Sequence, residues 1–128
     1  MAKTVLIADD DEKQLQALGA HLQRQGCRVV CARDALSAVL QAHAYPPELI
    51  LLGDGMPARD GSRVYDRLQS SAQTFHIPVV FLLKAAQIPQ LRSASSFRHL
   101  RVLSKPVDPN RLTVLVNEIL PGFLIAPI

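Results

Sequence analysis

Four short apolar runs in this chain end in residues that carry charge or leave room for it. Ile7-Ala8 leads into Asp9-Asp10, Leu51-Leu52 into Gly53-Asp54-Gly55, Leu82-Leu83 into Lys84, and Leu103-Ser104 into Lys105-Pro106. Carboxylates so placed offer hard oxygen ligands to a divalent cation. Asp9 and Asp10 are the candidate pair. The same pair, together with Asp11 and Glu12, equally suits the amino-terminal dipole of a following helix. Lys105 has a natural partner in Asp9 or Asp10, whereas Lys84 faces either the acidic loop or solvent. Asp54, set between two glycines, is either part of the cluster or a loop carboxylate bonded to nearby backbone. His21, His43, His76 and His99 are scattered and form no triad or metal set, so ordinary surface or core roles are expected of them.

The elements that must position these residues are short. The chain has 128 residues, the size of one ordinary domain. Its 48% hydrophobic content supplies a core, and 20% charged residues is too few for a disordered segment. Apolar runs such as Val79 to Leu83 are far too short to span a membrane. The start, Met-Ala-Lys-Thr, passes straight into a strand pattern rather than a secretory signal, which predicts a soluble cytoplasmic protein. The net charge of +3 is mildly basic, but the basic residues are dispersed. Arg59, Arg63 and Arg67 at helical spacing, and Arg92, Arg98 and Arg101, read as solvated faces. Without a helix-turn-helix or aromatic-basic platform, nucleic-acid binding is not expected. Cys27 and Cys31 lie four apart on a strand, about 13 Å, too far for a disulfide. They read as small buried residues.

Apolar runs alternate with amphipathic segments, the pattern of a parallel α/β sheet. Strands are predicted at Thr4–Ala8, Cys27–Cys31, Leu49–Leu52, Val79–Leu83 and Val102–Ser104. The first helix, Glu12–Gln25, presents Leu15, Leu18 and Leu22 inward and stops at Gly26. Asp34 caps a second helix whose inward residues are expected to be Leu36, Val39 and Leu40. A third covers Ser62–Ser70 with Val64 and Leu68 inward. The fourth is weak, because Pro89 and the serines at 93, 95 and 96 have poor helix propensity. Asp108 and Pro109 open a fifth, striped by Leu112, Leu115, Val116 and Ile119. Five strands and five helices fit a flavodoxin-like, doubly wound (βα)5 sheet, with a site at the carboxyl ends of the strands. The domain is expected to cover 1–120. Residues 121–128 form an apolar tail that packs, makes an interface, or begins a linker.

The order and spacing of Asp9-Asp10, the Leu49–Leu52 run with Met56-Pro57 and Asp60-Gly61 after it, and Lys105-Pro106 resemble the receiver domain of bacterial two-component response regulators. Leu83 lies 30 residues beyond Gly53 and Lys105 lies 52 beyond it, both in keeping with that family. The resemblance implies a pocket in which an aspartate accepts a phosphoryl group, two acidic residues and a backbone carbonyl hold Mg²⁺, and a lysine meets the phosphoryl oxygens. Asp9, Asp10, Gly55 and Lys105 occupy the metal and lysine positions. Gly53 stands where the family has its acceptor aspartate, Leu83 where it has a switch hydroxyl, Lys84 where it has a small residue, and Val102 where it has a switch aromatic.

Four departures around one pocket predict a pseudo-receiver. It would not be an enzyme, would bind Mg²⁺ weakly if at all, and would regulate through protein contact. By analogy the contact surface is the face from strand four to helix five, serving a protein partner, a second copy, or a fused output domain. The alternative is a phosphorelay receiver that still accepts phosphate at Asp54 with Mg²⁺. Adjacent residues of an extended chain point to opposite sides, so Asp54 aims away from the metal unless a bulge between Gly53 and Gly55 turns it.

Overall fold

The computed structural model describes residues 3–53, 60–89 and 101–125. Five parallel strands, β1 (Lys3–Ala8), β2 (Cys27–Ala32), β3 (Leu49–Gly53), β4 (Val79–Lys84) and β5 (Arg101–Lys105), form one sheet in the order β2-β1-β3-β4-β5. That is the flavodoxin-like order expected from the alternating pattern. Its topology reverses between β1 and β3, which opens a crevice at the carboxyl ends of those strands.

β3 is the central strand, and all five of its residues are buried. Leu49 and Leu51 face a core closed by α1 (Glu12–Arg24) and α4 (Pro109–Ile119), whereas Ile50 and Leu52 face a core closed by α2 (Ala35–Ala44) and α3 (Asp60–Gln69). A strand covered on both faces must be apolar at every position, as this one is up to Gly53.

The helix ends follow from their sequences. Asp11 caps α1 by accepting from Gln14 N at 3.2 Å, and Gly26, at φ +85°, turns the chain out of it. Asp34 caps α2 by accepting from Ser37 N at 2.8 Å, and Asp108 caps α4 by accepting from Asn110 N at 2.9 Å, with Pro109 in the first turn. Leu15, Leu18 and Leu22 of α1, Val64 and Leu68 of α3, and Leu112 and Val116 of α4 are buried as expected, with Leu115 and Ile119 packed at the edge.

Two expectations fail. In α2 the inward residues are Ala38 and Ala42, with Val39 half-buried, while Leu36 and Leu40 are 63% and 58% exposed. Alanines let the helix axis approach β1, β2 and α3 closely. Larger side chains at those positions would push it away, so size rather than hydrophobicity sets its phase. Cys27 is buried, but Cys31 is exposed: β2 is an edge strand, and on the face shared with Cys27 burial falls through half-buried Val29 to Cys31. After β4 comes one 3₁₀ turn, Ala85–Gln87, closed by a bond from Lys84 N to Gln87 Oε1 at 3.3 Å, and residues 88–89 are helical. Pro89 is described, and the rest of the segment expected to form the fourth helix, residues 90–100, lies outside the described residues.

Of the tail, residues 121–125 fold back. Phe123 and Leu124 are buried against α1 and α4. Asn117 brackets Leu124 with two hydrogen bonds, of 2.8 and 3.0 Å. Gln25 does the same to Ile125, at 2.6 and 3.2 Å.

Candidate functional site

The residues singled out by their chemistry gather at the carboxyl end of the sheet. Asp9 leaves β1 held by its own N–H, which donates to Ala32 O at 2.9 Å. Its side chain is fully buried. Oδ1 accepts from Asp11 N at 3.2 Å, and Oδ2 lies 2.6 Å from Lys105 Nζ. The Lys105 side chain is only 9% exposed. The contact is one of charge rather than direction, since Oδ2 takes no well-aligned hydrogen bond from the described residues. Two opposite charges largely out of water at this distance hold each other firmly.

Gly53 ends β3 in register with Leu82. A Cβ built on it would lie 2.2 Å from Asp9 Oδ2, 2.3 Å from Asp9 Cγ and 2.9 Å from Asp9 Cβ. The absence of a side chain at 53 is therefore a spatial requirement of this arrangement. The expected pairing of Lys105 with Asp9 or Asp10 is found with Asp9; Asp10 is exposed. Lys84 is exposed and in register with Lys105, so two lysines close the ends of β4 and β5 side by side.

Leu83 is buried in the core beneath α2 and α3, and Val102 packs at the edge of the same core, in register with Phe81. Phe81 meets Tyr65 of α3 at 5.5 Å between ring centroids. Asp54 and Gly55, the other two candidates, lie outside the described residues, as do Met56, Pro57, Arg59, Arg92, Arg98 and His99. Two of the described histidines make hydrogen bonds within the fold, and His76 meets the Phe75 ring edge-on at 5.8 Å. His21 Nε2 meets Thr113 Oγ1 at 3.0 Å, and His43 bridges Val39 O at 2.9 Å and Ser71 Oγ at 3.1 Å.

Magnesium prefers an octahedral shell of oxygens. Both oxygens of Asp9 are engaged, one by Lys105 and one by a backbone N–H. Among the described residues no group of three or more acidic, histidine or cysteine side chains is gathered for a metal. These residues by themselves do not make a Mg²⁺ site. The fit of Asp9 into the space above Gly53 is what sequence reasoning missed. The signal for it was a glycine closing an otherwise fully apolar strand opposite an acidic pair.

Along one flank of the sheet, Leu103 of β5 and Asn110, Arg111, Val114, Leu115 and Glu118 of α4 line a groove of about 420 Å³. Among the described residues no helix is long and apolar enough to cross a membrane.

Known proteins agree with this architecture. The response regulator receiver domain model matches residues 5–117. The chain is 32% identical to response regulator PleD of Caulobacter vibrioides over 93% of its own length, spanning about a quarter (26%) of that protein. It is 28% identical to protein PilH of Pseudomonas aeruginosa, covering 92% of this chain and 98% of PilH. The solved chemotaxis response regulator CheY4 of Vibrio cholerae superposes with a TM-score of 0.82, covering 93% of this chain and 99% of that one, at 21% identity, a likeness of fold. With the family model covering most of the chain and the crevice residues at the expected spacing, the chain belongs to the response regulator receiver domain family, the regulatory domain of two-component signalling.

Proposed function

We propose that this domain is a pseudo-receiver, a regulatory domain that acts through protein contact without accepting a phosphoryl group. The observation that carries the reading is Gly53. The acceptor position closes β3 with no side chain, and the carboxylate already in that space, Asp9, is bound to Lys105. Buried Leu83 offers no hydroxyl at the switch position, and Val102 offers no aromatic ring. The domain is a cytoplasmic regulator rather than an enzyme, and it holds Mg²⁺ weakly. Asp10 and the Gly55 carbonyl are the remaining ligands for the ion.

The contact surface is the β4–β5–α4 flank, α4 being the last helix of the chain. The groove there and half-exposed Val114 provide apolar area between Arg111 and Glu118. Its partner is a signalling protein, a second copy, or an output domain attached to this one.

The test is incubation with acetyl phosphate and Mg²⁺, followed by intact-mass measurement. The expected result is an unchanged mass. A stoichiometric gain of one phosphoryl group, abolished by Asp54→Asn, would overturn the proposal in favour of a receiver active through Asp54.

A further inference from the structure

We infer that Gly53, Asp9 and Lys105 form a three-residue interlock, in which Asp9 serves as the pocket's permanent internal anion and Gly53 is the residue that admits it. The inference rests on the pseudo-receiver reading and deepens it by naming how the pocket is held in one state.

The geometry is exclusive. Real Cβ atoms essentially never sit within 3.0 Å of another heavy atom, yet a Cβ at 53 would meet three atoms of Asp9 inside that limit. Rotation about the Asp9 side chain can remove two of the conflicts, those at Cγ and Oδ2. It cannot remove the third, because Asp9 Cβ is fixed by the backbone. That backbone has little slack. β1 pairs with β3 up to Ala8 and Leu52, one step before each residue, and Asp9 N is bonded to Ala32 O on the other side. A side chain at 53 must therefore turn the Asp9 carboxylate out of its present place, and the backbone must give slightly at Asp9 Cβ.

Expulsion has a second effect. Asp9 Oδ2 is a buried counter-charge of Lys105, so moving it removes a close partner from a nearly buried ammonium. Side-chain volume at 53 and the charge state around Lys105 are thereby linked. The site carries its own anion where an acceptor carboxylate and its phosphoryl group would otherwise be met by the lysine. It follows that Gly53→Asp is not a simple repair, because the introduced carboxylate competes with Asp9 for the same space and the same lysine.

A double-mutant cycle on the full chain tests the interlock. Gly53→Ala, Asp9→Ala and the double variant are compared by thermal melting. Lys105 acetylation by an amine-reactive reagent is followed by peptide mass spectrometry. Gly53→Ala is expected to lower the melting temperature markedly and to raise Lys105 labelling several-fold. In the Asp9→Ala background, where only the 2.9 Å contact at Cβ remains of the three, the same substitution should cost less and change labelling little. If Gly53→Ala fails to fold, the double variant, which removes the carboxyl atoms in conflict, is expected to fold; its failure would overturn the inference. Additive effects, or Lys105 labelling unmoved by Gly53→Ala, would also overturn it. Phosphoryl uptake by the unmodified protein would refute the pseudo-receiver reading but leave the outcome of this cycle as it stands, so the two failures are distinguishable.

Discussion

Lys105→Met should be among the most damaging single changes at this end of the molecule. The methionine keeps most of the stem's volume but deletes the ammonium 2.6 Å from Asp9 Oδ2, in a carboxylate with no exposed surface. Removing one partner of a buried pair typically costs about 3–5 kcal/mol, since the other charge stays uncompensated. Unfolding entropy near 2.1 cal/mol/K per residue gives about 0.27 kcal/mol/K for 128 residues. The expected fall in melting temperature is therefore roughly 11–19 °C. Asp9→Ala should be milder, because the remaining ammonium rides on a flexible stem at the end of a strand and can reach water. Asp9→Ala with Lys105→Met leaves no buried charge, so it should recover much of the loss. Thermal and urea melts of the three variants decide it. A Lys105→Met penalty of about 1 kcal/mol or less, the range of a solvated surface pair, would refute the reasoning. So would a double variant as unstable as Lys105→Met.

Burial, with Arg24 adding to it, holds His21 below its ordinary pKa. The unfolded chain then takes up that proton first, so this residue's contribution to stability is present above about pH 6.5 and is lost as pH falls below it. Urea midpoints between pH 7.5 and 5.5 should decline less in His21→Gln, and an identical decline would contradict the assignment. Of the two thiols, exposed Cys31 should react with an aromatic disulfide well before buried Cys27, and Cys31→Ser should abolish the fast phase. Desolvation of the Cys31 sulfur by neighbouring groups holds the thiol of this surface cysteine above its usual range, so the reaction should quicken toward alkaline pH. Leu36→Ala and Leu40→Ala should each cost no more than about 0.5 kcal/mol, whereas Ala38→Leu or Ala42→Leu should cost about 1–3 kcal/mol by overpacking. Equal penalties in denaturant melts would place the leucines inward after all. Millimolar Mg²⁺ should raise the melting temperature by less than about 2 °C if its dissociation constant is millimolar or weaker; a rise of many degrees would reveal an intact cation site.

What could be read from the sequence divides along physical lines. β1, β3 and β4 are legible because a strand covered on both faces tolerates few polar residues, and Leu49–Leu52 can be little else. β5 reads short, as Val102–Ser104, because its ends are the charged Arg101 and Lys105, which hydrophobicity cannot assign to a strand. The face of α2 is misread for the opposite reason. Leucine outranks alanine on any hydrophobic scale, but here close approach to the sheet selects Ala38 and Ala42. Spacing brings Lys105 to the acidic pair, and charge predicts the bond. That the partner is Asp9, and that its carboxylate lies where a side chain at 53 would begin, depends on a strand separation that no one-dimensional pattern encodes.

The bracketed tail gives the molecule a mechanical polarity. Lys3, at the opening of β1, donates to Phe123 O at 2.6 Å and lies 5.2 Å from the centre of the Phe123 ring. Asp9 is at the other end of the same strand, about 20 Å away at 3.3 Å per residue. Tension on the chain beyond Ile125 would be taken up first by the amide brackets of Gln25 and Asn117 and by the Phe123 anchor. Those are short-range attachments that yield one after another. The acidic crevice is at the opposite end of the sheet and shares none of these attachments. A tug on the tail should therefore peel Phe123 and Leu124 from between α1 and α4 while the Asp9–Lys105 contact still holds. The two ends of this small domain can thus come apart in sequence.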